Sequence, residues 1–335
     1  MKPSCFFVPP SVLEALRTHE TGRVRGPVGR TLDEMRRLER RRAVPRGTPV
    51  AHEHRLVYDC EHRTELPGTL RRREAQPACD DADVNRAYDA AGTTYEFYRA
   101  VFGRDSVDGH GKHLISSVHY GENFDNARWD GAQMIYGDGD GVMFRSFTLF
   151  LDVIAHELSH GVIYNETRLG YEGQADALNE SLADVFGSLV KQWAHWQTVG
   201  RADWLIAKGL FRPPLRAKAL RSLAAPGTAF ADERFGLHDT QPAHMRDYVT
   251  DESRDPVHAN SGIPNHAFYL FAKALGGHAW ETAGRIWYDT MCTKLREDCT
   301  FAMFAAQTLS AAQQYGTRAS ESLVHAWRKV GVLKD

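Results

Sequence analysis

Two short stretches, His156-Glu157-Leu158-Ser159-His160 and Asn179-Glu180-Ser181-Leu182-Ala183-Asp184, constrain this chain more than any other feature. On a helix, residues four apart share a face about one turn from each other. His156 and His160 can therefore hold one ion, with Glu157 beside it to take a proton from bound water. The second stretch also reads as helix and supplies the missing third ligand, Glu180, with Asp184 one turn later on the same face. Two imidazoles and one carboxylate with an open fourth position favour a single catalytic zinc. A zinc-bound imidazole gives its other N–H to a carboxylate or carbonyl, which fixes its tautomer. Asp184 and Asn179 are the candidates for that supporting role. For both stretches to serve one ion, the fold has to bring the two helices face to face.

A length of 335 residues allows two domains and an appendage, each with its own core. A formal charge of -2, from 41 basic and 43 acidic side chains, gives no push toward nucleic acid or an anionic membrane. No stretch approaches the roughly 18 consecutive apolar residues of a membrane helix. The apolar run Phe6–Val8 is cut by Pro9 and Pro10, so no secretory signal is recognisable. Synthesis in the cytoplasm is expected, with a non-classical route for any secretion of the active form. The 5 cysteines are an odd number without CxxC spacing, and Cys60, Cys79, Cys292 and Cys299 read as plain thiols.

Residues 1 to about 55 differ from the rest. An amphipathic helix is expected around Ser11–Thr18. The arginine-rich run Arg36–Arg42 then leads into Val44-Pro45-Arg46-Gly47-Thr48-Pro49, which reads as an exposed linker; the run itself is a solvated helix face or a processing region. Asp81–Val101 carries Val84, Ala87, Tyr88, Ala91, Tyr95 and Tyr98 at helical spacing, His113–Tyr120 alternates like a strand, and Gly131–Gly141 is rich in turn residues. Beyond Arg145 helical patterning dominates, broken at Leu169–Gly173, at Pro213-Pro214 and over Gln241–Pro264. The simplest architecture is α+β, with a mixed N-terminal half and a mainly helical C-terminal half.

The two motif helices, together with Asn126-Ala127-Arg128-Trp129-Asp130-Gly131, Gln133–Gly141, Leu220-Arg221-Ser222-Leu223 and Val257–Asn265, in this order, resemble the thermolysin-like metallopeptidases over nearly all of the chain after residue 55. The resemblance implies a two-domain fold with a cleft between the halves, and hydrolysis of peptide bonds N-terminal to large apolar residues. Zinc-bound water would attack the carbonyl with Glu157 as general base. His258 and Tyr171 would stabilise the oxyanion. Arg221 would grip the carbonyl of the residue after the scissile bond, and Leu220 would line the pocket for its side chain. Asn126 and Ala127, with Trp129 beside them on the edge strand, would bind the substrate as an added strand.

Two departures from the family pattern stand out. The acidic residue expected five positions before His258 is replaced by Ser253, leaving Asp251, Glu252 and Asp255 as substitutes. Lys191 and Lys208 stand where thermolysin has calcium carboxylates, so calcium is not expected; Asp138 and Asp140 read as turn residues.

The start of the chain resembles the short propeptide of the protealysin-like branch. Pro9, Pro10 and Leu13 match its cleft-blocking segment, and Cys5 just before it is either a thiolate that caps zinc or a bystander. The expected organisation is an inhibitory propeptide with linker over 1–50, an α+β domain over 51–172, and a helical domain over 173–335. The partners are then peptide or protein substrates and the chain's own propeptide. A zinc exopeptidase or a catalytically silent zinc protein is the alternative.

Overall fold

The computed structural model describes residues 6–19, 25–40 and 54–334. Two helices come first: α1 (Pro10–His19) and α2 (Arg25–Arg40), which pack on each other. The arginine run read as a helix face marks only the end of α2, and its earlier turns are not read from the sequence. Its signal is the spacing of Val28, Leu32 and Met35, all buried, and Leu38 is buried one turn on. Arg36 and Arg37 face solvent on this helix, as the solvated-face reading requires, while residues 41–53 lie outside the described residues.

The N-terminal half is built on a mixed five-stranded sheet of β1 (Arg55–Asp59), β2 (Thr69–Arg73), β3 (Leu114–Val118), β4 (Ala127–Trp129) and β5 (Met134–Tyr136), in the order β2-β1-β3-β5-β4. β1 and β3 are parallel, as are β3 and β5, whereas β4 pairs antiparallel to β5 with Ala127 opposite Tyr136. The turn-rich reading of Gly131–Gly141 is corrected here, because Met134–Tyr136 form a fully buried strand between two turns. The sheet packs on α3 (Ala82–Phe102), capped by the Asp81 carboxylate on the N–H groups of Asp83 and Val84, and ended by left-handed Gly103.

The motif helices are α4 (Leu151–Glu166) and α5 (Gly173–Ala194). They lie against each other, and α5 is buried on nearly every side. Gly187 sits at their closest approach: a Cβ there would lie 2.7 Å from the Asp152 carbonyl oxygen and 3.3 Å from the His156 Cβ. Only glycine lets α5 come near enough for Glu180 to reach the α4 histidines. After α5, two small antiparallel pairs follow, β6 (Leu205–Ile206) with β7 (Arg221–Ser222), and β8 (Ala231–Asp232) with β9 (Leu237–His238). The rest is helical: α6 (Pro256–Asn260), α7 (Gly262–Leu275), α8 (Thr282–Met291), α9 (Phe301–Ala312) and α10 (Thr317–Lys329). Gln241–Pro264 is therefore not wholly irregular. Among the described residues, Cys60, Cys79, Cys292 and Cys299 form no disulfide. No helix among them is long and apolar enough to cross a membrane.

Candidate metal centre and cleft

α4 presents His156 and His160 on one face, and α5 brings Glu180 opposite them. One ligand atom from each lies within 4.8 Å of the others. The two Nε2 atoms are 3.0 Å apart. Glu180 Oε2 is 3.6 Å from His156 Nε2, and Oε1 is 3.4 Å from His160 Nε2. The opposite side of each ring faces an acceptor: His156 Nδ1 lies 2.9 Å from Asp184 Oδ1, and His160 Nδ1 3.1 Å from Asn179 Oδ1. With the Nδ1 protons turned to these acceptors, both Nε2 lone pairs converge on one point. Two lone pairs so close, beside a carboxylate whose two oxygens are buried without a hydrogen-bond partner, call for a cation. The donor set and its hydrogen-bonded surround fit zinc.

Burial raises the carboxyl groups of Glu157 and Glu180 well above the usual carboxylate range, and Glu180 adds repulsion at Glu157. Glu157 accepts the Trp129 backbone N–H at 2.6 Å on Oε2, while Oε1 is buried without a partner. Trp129, beside Ala127 on the edge strand, thus fixes the candidate base through its backbone. Asp184 is held by a fork from Arg221 at 2.8–3.0 Å and by Asn265 Nδ2 at 2.9 Å. This pairing keeps Asp184 ionised against full burial and locks Arg221 in place.

His258, at the buried side of α6, points Nδ1 at Asp255 Oδ2, 2.9 Å away. The vacated position at Ser253 is thereby answered by Asp255, which caps α6 in a left-handed conformation (φ 50). Burial disfavours charge on His258, but the carboxylates of Asp255 and Glu180 outweigh it and raise the imidazole to about 9. Tyr171 is half-buried in the bend that enters α5.

Residues 6–9 run through the cleft along the open edge of β4. The Phe7 N–H donates to the Ala127 carbonyl at 3.1 Å. Asn126 takes the Val8 N–H on Oδ1 at 2.8 Å and returns Nδ2 to the Val8 carbonyl at 3.0 Å. The Phe7 carbonyl accepts from Arg221 at 3.0 Å, and the Phe6 carbonyl from His258 Nε2 at 3.0 Å. The Phe7 ring is fully buried, edge-on to His156 with centroids 5.1 Å apart. Leu13 is buried, and Pro9 borders the same end of the cleft as Leu220. Thr31 and Glu34 of α2 hold the arrangement from outside, through the Asp125 N–H at 3.0 Å and the Tyr120 hydroxyl at 2.5 Å. Cys5 lies outside the described residues.

Away from the cleft, Lys191 Nζ reaches Asp152 Oδ2 at 2.8 Å, Asp203 Oδ1 at 3.2 Å and the Leu205 carbonyl, while Lys208 lies 3.5 Å from Asp203. Asp140 caps the N–H groups of Val142, Met143 and Phe144, and Asp138 pairs with His119.

A mixed sheet and a helical lobe that share one His2Glu centre in a peptide-binding groove define a metal-dependent peptidase. Residues 49–164 match the thermolysin metallopeptidase catalytic domain and 167–332 the thermolysin metallopeptidase alpha-helical domain. The chain belongs to this family, and it is a zinc endopeptidase. It is 45% identical to an extracellular metalloprotease of Pectobacterium carotovorum subsp. carotovorum over 99% of this chain and 97% of that one. It is 35% identical to thermolysin of Alicyclobacillus acidocaldarius, covering 83% of this chain and 50% of that protein. Among solved structures, the precursor of protealysin from Serratia proteamaculans superposes with a TM-score of 0.90 at 46% identity, over 98% of this chain and 100% of that one.

Proposed function

We propose that the chain is the latent precursor of an endopeptidase that cuts before large apolar residues, with residues 1–50 as its inhibitor. The carrying observation is the double grip on the leading segment, the Phe6 carbonyl on His258 and the Phe7 carbonyl on Arg221. In this reading His156, His160 and Glu180 hold one zinc, which when bound acidifies water and polarises the carbonyl under attack. Glu157, fixed through Oε2, takes a proton on its free Oε1 and passes it to the departing amine. His258 and Tyr171 donate to the developing oxyanion, and Asp255 keeps the His258 ring aimed. Arg221 holds the carbonyl after the cut, Leu220 lines the pocket for the adjoining side chain, and Asn126 and Ala127 align the strand. Domains meeting near residue 172 would form the two walls of the cleft.

Calcium has no role in this reading, because the Lys191 ammonium supplies the positive charge between Asp152 and Asp203. Secretion of the mature form is supported by the extracellular relative, and Cys5 is the candidate to cap zinc in the precursor. The test compares full-length and matured protein on internally quenched peptides blocked at both ends. Cleavage by the matured form alone, abolished by 1,10-phenanthroline and restored by zinc, is the expected result. Equal activity of the uncut chain would overturn latency, and cleavage only of peptides with a free terminus would make it an exopeptidase.

A further inference from the structure

The leading segment occupies the cleft in one definite register. Arg221, the residue assigned to the carbonyl after the cut, holds Phe7, and His258, assigned to the oxyanion, holds Phe6. Phe7 is then the residue after the bond and Phe6 the residue before it. What meets the Phe6 ring is Arg128, whose guanidinium carbon sits 4.6 Å from the ring centroid. Both side chains are almost fully buried, at 3% and 1% exposure. Arg128 lies on β4 between Ala127 and Trp129, so its side chain leaves the strand on the face opposite theirs.

A guanidinium over an aromatic face within about 6 Å is attracted by the ring quadrupole, more strongly when water is excluded. An aliphatic side chain of the same bulk fills the space without that attraction. We propose that Arg128 is a specificity-determining residue that selects an aromatic side chain on the amino side of the bond cut, so that the favoured substrates carry an aromatic residue followed by a large apolar one. This rests on the endopeptidase reading above. The prosegment, with Phe6 against Arg128 and Phe7 edge-on to His156, carries the same two features.

The test uses two quenched peptides that differ only in the residue before a fixed Phe, either phenylalanine or cyclohexylalanine, which keeps the bulk and loses the π face. Protein matured from the full chain should favour the phenylalanine peptide in kcat/KM by roughly 2- to 30-fold, the span of a cation–π contact. Arg128→Gln should bring the ratio close to 1, and Arg128→Lys should leave an intermediate preference. A ratio unchanged in Arg128→Gln, or no preference in the parent enzyme, overturns the proposal while the endopeptidase reading stands. Failure of the parent enzyme to cut either peptide or casein overturns that reading instead. Should Arg128→Gln not fold, the uncut Glu157→Ala precursor provides a second measurement, in a thermal-unfolding cycle of Phe6→Leu with Arg128→Lys. Coupled losses support the contact, and additive losses count against it.

Discussion

Asp255 accepts the Nδ1–H of His258 at 2.9 Å from three residues upstream, at the capping position of the same short helix. It replaces an acid expected at position 253, and it leaves His258 Nε2 free to donate into the cleft. Asp255→Ala should therefore lower kcat roughly ten- to hundredfold, the scale on which removal of a histidine's orienting partner acts. KM and zinc content should change little. Asp255→Asn, which can accept but carries no charge, should recover part of the loss. A fall in zinc content or in folded fraction equal to the fall in kcat would instead make Asp255 a structural cap.

Glu157 touches the chain through one oxygen and offers the other to the reaction. Glu157→Ala should bind one zinc per chain, measured by metal analysis, yet lose nearly all turnover. Parallel loss of zinc would make Glu157 a ligand.

Lys191 sits between Asp152 and Asp203 with its ammonium largely buried. Removing one partner of such a pair leaves an uncompensated charge, so Lys191→Ala should destabilise the protein by roughly 3 kcal/mol. Millimolar calcium should leave the parent melting temperature unchanged, whereas an occupied site would add about 2.7 kcal/mol at a hundredfold excess over Kd. A calcium-dependent rise of many degrees would refute the substitution of cation for cation.

The motif helices were legible because HExxH and NExxxD tie residue type to helical spacing, and α3 because its apolar residues recur at that spacing. What escaped was set by tertiary contacts. α2 carries an apolar stripe, but its arginines dominate the reading until α1 and Asn123–Asp125 are seen to cover the other face. β5 is three residues long amid glycines and aspartates and is a strand only because β3 and β4 flank it. The choice among Asp251, Glu252 and Asp255 turned on a positive φ that no residue pattern announces. The lysine at 191 is read directly from the sequence; the Leu205 carbonyl that completes its surroundings is not.

His119 lies between two carboxylates, with Nδ1 2.8 Å from Asp138 and Nε2 3.0 Å from Asp81. The hydrogen bond to Asp138 is the main cause that raises it from 6.5 to about 9, against a burial penalty. The folded state therefore holds this proton more tightly than the unfolded state. The stabilisation is complete below about 6.5 and is lost as pH rises through about 9. His119→Gln should flatten the decline of the urea midpoint over that window. An unchanged slope would assign the pH dependence to other groups.

Latency should reside in the segment that fills the cleft. Its contacts fall into two sets, backbone hydrogen bonds to Asn126, Ala127, Arg221 and His258, and burial of Phe7, Val8 and Leu13. Fully burying one such side chain is worth about 1.5–3 kcal/mol, and tethering keeps the segment at a high effective concentration. Pro9 and Pro10 fix an extended exit and begin α1, because proline suits a helix's first turn. Leu13→Ala or Pro10→Ala should therefore shorten the time to maturation, read by gel from full-length chain, and Phe7→Ala should do so most. Glu157→Ala should leave the chain uncut if processing is autocatalytic. Cys5→Ser separates the thiol from the rest: faster activation supports a zinc cap, and unchanged kinetics make Cys5 a bystander. If uncut protein hydrolyses peptides as fast as a chain lacking residues 1–50, the segment is no inhibitor, whatever groove it occupies.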